Sequence, residues 1–281
     1  MDILNSPREL AVWKAAHPRC AFAPTMGNLH AGHVSLVDKA RLTGLPVIAS
    51  IFVNPLQFGE GEDLERYPRT FEQDCAQLKA AGCHAVFAPS VTDMYPQAQT
   101  YFVEPPELAN ELCGKYRPGH FRGMLTVVLK LFNLVQPAVA AFGKKDYQQL
   151  ALIRGMVKQM NLLIEILAGE TVRAEDGLAL SSRNGYLSAL ERKEAPRLYQ
   201  CLKQIADALA LGRTNFEELE TQALGTLYQH GWKVDYVSIR REDLGMPNEE
   251  DSAFVVLGAA HQGNTRLIDN VEVPVPRSAT K

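Results

Sequence analysis

The chain has 281 residues, with 29 Lys+Arg against 32 Asp+Glu and a formal net charge of −3. A hydrophobic fraction of 46% with 22% charged residues is that of a globular protein and excludes a mostly disordered or fibrous one, and the mild acidity argues against a general nucleic-acid binder while leaving room for a local cationic pocket. No stretch approaches the ~18 apolar residues that span a bilayer, the start Met1-Asp2-Ile3-Leu4-Asn5-Ser6 lacks the parts of a secretory signal, and Cys20, Cys75, Cys83, Cys113 and Cys201 are odd in number with no Cys-x-x-Cys spacing, which disfavours a disulfide framework or structural zinc.

In chain order, short apolar runs over 20–24, 47–53, 85–88 and 138–142 show little alternation, as strands buried on both faces do. Between them the spacing predicts helices over 34–40, over 70–81 with a Thr cap and a stop at Gly82, over 121–134 before Pro137, and over 147–160. This alternation implies an α/β fold with a doubly wound parallel sheet, whose ligands bind beyond the carboxyl ends of the strands. After about residue 170 the pattern changes to helices over 188–211 and 215–230, then to strands over 233–240, 253–260 and 266–268. That order predicts a smaller α+β domain, with 169–182 as the connection. The expected domains are 1–170 and 171–281, and the tail 274–281 has little to bury and is expected to fray.

Polar clusters follow the strands. Pro24-Thr25-Met26-Gly27-Asn28-Leu29-His30-Ala31-Gly32-His33 puts two histidines at a strand-to-helix turn. A helix amino terminus attracts phosphate, and glycines let a nucleotide approach the backbone. Such histidines can donate to phosphate oxygens as charge develops. A glycine-rich turn with incidental histidines is the bland alternative. Phe142-Gly143-Lys144-Lys145-Asp146-Tyr147-Gln148-Gln149 offers lysines as point charges. Its Asp146 can bind ribose hydroxyls, cap the helix or hold magnesium, and a solvated charged loop is the alternative. In Asp176-Gly177-Leu178-Ala179-Leu180-Ser181-Ser182-Arg183-Asn184, two hydroxyls and a guanidinium make an anion clamp, or simply a turn with an N-cap. Asn54 and Gln57 leave a strand's carboxyl end, and Arg117-Pro118-Gly119-His120-Phe121-Arg122-Gly123 is a basic loop that is either solvated or phosphate-facing.

Over nearly its whole length the chain closely resembles the pantothenate synthetase (pantoate–β-alanine ligase) family, carried by 24–33, 50–58, Tyr67-Pro68-Arg69-Thr70, 117–123, 142–150 and 176–187. The resemblance implies a nucleotidylyltransferase-like Rossmann domain with the small domain closing over the site, in a cytoplasmic homodimer with neither nucleic-acid nor membrane partner. The implied reaction joins (R)-pantoate, β-alanine and ATP, with magnesium, through a pantoyl adenylate to pantothenate, AMP and pyrophosphate, on the way to coenzyme A. It implies ATP contacts at Met26, Gly27, Asn28, Leu29, His30, Ala31, Gly32, His33, Gly143, Lys144, Lys145, Asp146, Val172, Leu180, Ser181, Ser182 and Arg183. The catalytic groups it implies are His33, His30, Lys145 and Arg183. It further implies that Gln57 and Gln149 hold pantoate, that Gln57 also meets β-alanine, and that Asn54 belongs to the substrate pocket. Two departures stand out. The chain reads Ala168-Gly169-Glu170 where many relatives read Gly-Val-Pro, and Lys144 stands where relatives often have Glu, which leaves the phosphate role to Lys145.

Overall fold

The computed structural model describes residues 1–274. Its first sheet is built from β1 (Asp2–Leu4), β2 (Ala21–Thr25), β3 (Val47–Ile51), β4 (Ala85–Phe87), β5 (Val139–Gly143) and β6 (Glu165–Gly169). All its pairings are parallel, and the strand order is β1-β4-β3-β2-β5-β6. The four inner strands are those read from the apolar runs. Ala21, Phe22, Ala23, Ile48, Ala49, Val86, Ala140 and Ala141 are fully excluded from solvent, so a strand with both faces covered has no polar residue to alternate with.

The edge strands escape the sequence reading. β1 has only three residues and opens on a charge, and β6 begins at an exposed Glu165. Six helices intervene up to β5: α1 (Pro7–Ala16), α2 (Ala31–Arg41), α3 (Phe71–Ala80), α4 (Val91–Met94), α5 (Cys113–Tyr116) and α6 (His120–Val135). Helix α7 (Tyr147–Gln159) lies between β5 and β6. Helix α6 ends where Gln136 turns left-handed (φ 46) and Pro137 withholds the next N–H. Thr70 stands at the N-cap of α3 as expected, but its hydroxyl does not cap. It donates instead to Asp74 Oδ1 at 3.1 Å.

Beyond the connection lie α8 (Ala189–Glu194), α9 (Arg197–Ala210) and α10 (Phe216–Gln229). An antiparallel sheet follows, with β7 (Lys233–Arg241), β8 (Ala253–Gln262) and β9 (Thr265–Pro274) in that order. The single helix expected over 188–211 is two, because Pro196 lacks the N–H that would continue α8. Leu198, Leu202, Ile205 and Leu209 form the buried stripe of α9, in one core with Leu227 of α10 and Phe254 and Val256 of β8. Strand β9 is longer than the expected 266–268, because its whole length pairs with β8. Of the tail expected to fray, Pro274 closes β9 and the rest lies outside the described residues.

Contacts divide the chain into two units. One comprises Met1–Lys144 and Leu152–Val172, the other Lys145–Ala151 and the chain from Arg173 on. In the first, strand order reverses where β2 lies beside β5, and the crevice of such a sheet opens beyond the carboxyl ends of those two strands. There the chain leaves β2 into Met26 and leaves β5 into Lys144.

Candidate active site

The turn after β2 is fixed from below. Thr25 Oγ1 donates to Ser50 O at 2.7 Å and accepts the N–H of Gly27 at 3.2 Å. Gly27 (φ 82) and Asn28 (φ 49) are both left-handed, a conformation that glycine adopts freely and asparagine tolerates. A Cβ on Gly27 would also stand 3.0 Å from Asp74 Oδ2. The buried Asp74 carboxylate, on α3, accepts the N–H groups of Asn28 at 2.9 Å and Leu29 at 2.8 Å. Sequence reading missed Asp74, and no local signal marks it, since its partners lie some 45 residues earlier.

The histidines are the helix cap itself. His30 is the N-cap of α2, and its Nδ1 accepts the N–H of Gly32 at 3.1 Å. His33 closes a reciprocal capping box, its Nδ1 accepting the N–H of His30 at 3.3 Å. Both rings use Nδ1 as an acceptor, so the neutral imidazoles carry their protons on Nε2. The ring centroids are 4.1 Å apart. Two N–H donors thus sit at a helix amino terminus, where the dipole favours an anion. Val172 Cβ is 3.9 Å from where a Cβ on Gly32 would be, which puts the residue expected to meet adenine beside the turn.

Gln57 ends the short helical turn Pro55–Gln57 that follows Asn54. Its Nε2 donates to Met26 Sδ at 3.1 Å, and its Oε1 accepts from Asn54 Nδ2 at 3.0 Å. The same Nδ2 reaches Gly123 O at 3.2 Å. Position 123 must be glycine, because a Cβ there would meet Leu56 O at 2.0 Å. The basic loop is neither solvated nor phosphate-facing at Arg117. That guanidinium pairs with Glu62 at 2.6 Å and donates to His120 Nε2 at 3.0 Å, while His120 Nδ1 donates to Gln57 O at 2.8 Å. Arg122 pairs with Glu104. A cavity of about 420 Å³ beyond β3 and β4 reaches Met26 and Gly27, with Phe52, Arg69 and Asp74 in its wall, a size suited to a small organic ligand. Arg69 spends donors on the carbonyls of Leu64, Glu65 and Tyr67.

The two departures from the family pattern meet: Lys144 Nζ lies 2.8 Å from Glu170 Oε1. Lys144, Gly143 and Val172 belong to the first unit with the turn, Asn54 and Gln57. Lys145, Asp146, Gln149, Leu180, Ser181, Ser182 and Arg183 belong to the second. There Asn270 Nδ2 holds the carbonyl of Lys145 at 2.9 Å, and Lys145 Nζ lies 3.8 Å from Asp146. Ser181 caps the helical turn Ser182–Tyr186 by accepting the N–H of Arg183 at 3.3 Å, and Arg183 is half-buried. Arg173 grips the buried Asp269 through two N–H donors, at 2.6 and 2.9 Å. Burial pushes the Asp269 carboxyl up, against the pull of Arg173. Gln149 is half-buried in the first turn of α7. Among the described residues no group of three or more His, Cys, Asp or Glu could hold a metal ion, and no helix is long and apolar enough to cross a membrane.

A parallel sheet reversing between β2 and β5, with a histidine-capped glycine turn leaving β2, defines a nucleotide-binding α/β enzyme. The chain belongs to the pantoate–β-alanine ligase family, whose model matches residues 2–272. It is 55% identical to the pantothenate synthetase of Neisseria meningitidis serogroup C over 278 residues, 98% of this chain and 100% of that one. It is 57% identical to the pantothenate synthetase of Thiobacillus denitrificans, covering 97% of each. The crystal structure of pantothenate synthetase from Thermus thermophilus superposes with a TM-score of 0.91 at 43% identity, over 98% of this chain and 100% of that one. The pantoate-beta-alanine ligase from Francisella tularensis, solved with beta-gamma ATP and beta-alanine, gives 0.80 at 36%, over 96% and 97%.

Proposed function

We propose that this chain condenses (R)-pantoate with β-alanine, using ATP, to give pantothenate, AMP and pyrophosphate. A carboxylate does not acylate an amine at neutral pH because its leaving group is poor. In the first step a pantoate carboxylate oxygen attacks the α-phosphorus, the bond to the β-phosphate oxygen breaks, and pyrophosphate leaves with that electron pair. In the second the neutral β-alanine amine attacks the acyl carbon of the adenylate. AMP leaves with the acyl C–O electron pair, and the nitrogen sheds a proton. No side-chain nucleophile is required.

The observation that carries this reading is the reciprocal cap of His30 and His33, with both Nε2–H groups at the start of α2. In this reading those donors, with Lys145 and Arg183, stabilise charge gathering on the phosphate oxygens. Ser181, Ser182, Leu180, Gly143, Lys144 and Asp146 line the ATP site, and the Val172 backbone meets adenine. Gln57 and Gln149 orient pantoate through neutral amides, which hold a carboxylate without the full opposing charge of an arginine. The proposed ATP groups include residues of both units.

Magnesium enters as the partner of the triphosphate. Among the described residues no group of three or more His, Cys, Asp or Glu could hold a metal ion, which suits an ion carried by phosphates better than an all-protein cage. Carried by the triphosphate, the ion would supply positive charge to the leaving pyrophosphate. A cytoplasmic homodimer completes the reading, supported by the resemblance to the family. The experiment is AMP release with each substrate omitted in turn, alongside exchange of labelled pyrophosphate into ATP. Exchange is expected with ATP and pantoate alone and absent with ATP and β-alanine. Exchange that needs all three substrates overturns the two-step scheme.

A further inference from the structure

We infer that Tyr95 is a positioning residue for pantoate binding: through Asn54 it fixes the Gln57 amide with its oxygen inward and its NH2 as the donor offered to the substrate. This rests on the reading above that Gln57 faces pantoate.

The orientation of an amide is set by neighbours that act in one sense only. Leu56 N–H can only donate, and it reaches Asn54 Oδ1 at 3.3 Å. Gly123 C=O can only accept, and it takes Asn54 Nδ2 at 3.2 Å. Asn54 is therefore assigned, and its Nδ2 fixes the Gln57 oxygen at 3.0 Å. That leaves Gln57 Nε2 as the outward donor, 3.1 Å from Met26 Sδ. A thioether is a weak acceptor, and a carboxylate or hydroxyl oxygen of the substrate is a better one.

The strongest restraint on Asn54 is Tyr95, whose hydroxyl donates to Asn54 Oδ1 at 2.7 Å. The ring of Tyr95 is itself held, with Lys130 Nζ 4.8 Å from its centroid and the Phe52 ring 6.1 Å away. Lys130 is anchored in turn on Gln99 Oε1 at 3.0 Å. Burial pushes the phenol pKa up, so it stays a donor at physiological pH. The backbone of Gln57 is gripped separately by His120. The side chain can therefore lose its orientation while the backbone stays in place.

Without the phenol O–H, Asn54 Oδ1 keeps only the long contact from Leu56. Asn54 and Gln57 then gain a second arrangement, in which a carbonyl oxygen opposes the substrate carboxylate. Only the donor arrangement binds pantoate, so the apparent affinity falls by the fraction that keeps it.

The test compares Tyr95→Phe, Gln57→Ala and the double variant by steady-state kinetics in each substrate and by thermal denaturation. Loss of one such hydrogen bond predicts about a fivefold rise in pantoate KM for Tyr95→Phe, with ATP KM unchanged. In the Gln57→Ala background Tyr95→Phe should add nothing, because the group it positions is gone. A pantoate KM unmoved by Tyr95→Phe, while Gln57→Ala raises it, overturns the inference and leaves the reading of Gln57 standing. Additive effects in the double variant, or equal rises in all three KM values with a lowered Tm, also overturn it in favour of a general packing role. A normal pantoate KM in Gln57→Ala sinks both the inference and the reading beneath it.

Discussion

His33 Nδ1 accepts the backbone N–H of His30 at 3.3 Å, and His30 Nδ1 accepts the N–H of Gly32 at 3.1 Å. The same two rings thus close the first turn of α2 and, by using Nδ1 as the acceptor there, carry their protons on Nε2. In the proposed mechanism the structural and catalytic roles are separable, because capping uses Nδ1 and the proposed phosphate contact uses Nε2.

His33→Ala is expected to remove both roles in unequal measure. Losing the cap costs about 1 kcal/mol, a drop of a few degrees in Tm. Losing a preorganised donor to a developing phosphate charge costs on the order of 100-fold or more in turnover. Thermal denaturation and AMP release on the same preparation separate the two. A folded variant with near-normal turnover would remove His33 from the chemistry and leave it a cap.

Asp74→Asn tests the support beneath the turn. The carboxylate accepts from Asn28 N, Leu29 N and Thr70 Oγ1. An amide has one oxygen for those three donors, and its NH2 faces at least one of them. An unsatisfied buried donor costs about 1–3 kcal/mol. The turn beside it holds the left-handed Gly27 and Asn28, and the amides of Asn28 and Leu29 lose an acceptor, so their hydrogen exchange should accelerate and kcat/KM for ATP should fall. Unchanged exchange at both amides would mean that Asp74 does not hold the turn.

What the sequence made legible follows from where each signal is written. The inner strands announce themselves because Ala21–Thr25 and Val47–Ile51 are apolar on both faces. The histidine turn is legible because strand, glycines and helix lie side by side in the chain. Asp74, Tyr95 and Glu62 are invisible, because each acts on a partner 41 to 55 residues away in sequence. A carboxylate four residues after Thr70 reads as one more polar position on an amphipathic helix. The basic segment 117–123 reads as either solvated or phosphate-facing, and neither holds at Arg117, whose charge Glu62 neutralises. The edge strands fail for another reason: β1 is only three residues long and opens on a charge, and Glu165 interrupts the apolar run at the start of β6. Lys144 and Glu170 lie far apart in the chain, so their 2.8 Å contact is not legible from either position alone.

Glu220 gives the small unit a pH dependence. Burial raises its pKa, although its carboxylate accepts the N–H of Ile239 at 2.6 Å and Arg240 pulls the other way. A folded-state pKa above the unfolded value means that stability is complete below about 4.5 and declines as pH rises through the folded value. Glu220→Gln keeps an oxygen for Ile239 and cannot ionise. Its Tm relative to the parent should therefore improve steadily from pH 4 to pH 7. A constant difference across that range would show that Glu220 titrates as an exposed carboxylate does.

In the proposed site, Gln57 sets which way the pantoate pocket is polarised. Its oxygen is committed to Asn54 Nδ2 and its nitrogen points at Met26 Sδ. Gln57→Ala removes the donor and leaves space, so pantoate KM should rise by the worth of one polar contact, ~1–3 kcal/mol or roughly 5- to 150-fold. Gln57→Glu is the harsher change despite its closer shape. One carboxylate oxygen still satisfies Asn54, and the other now stands where the NH2 stood, an acceptor and a negative charge facing the carboxylate that must attack phosphorus. Repulsion between like charges in a partly desolvated pocket adds to the lost hydrogen bond. The ordering expected for pantoate kcat/KM is therefore parent, then alanine, then glutamate, with ATP KM nearly constant across the three. Lowering the pH toward the carboxylate range should narrow the gap between glutamate and alanine, since a protonated side chain regains a donor. Steady-state kinetics with pantoate varied at two pH values checks both points. Glutamate outperforming alanine, or a defect that falls on ATP, would place this amide outside the pantoate pocket.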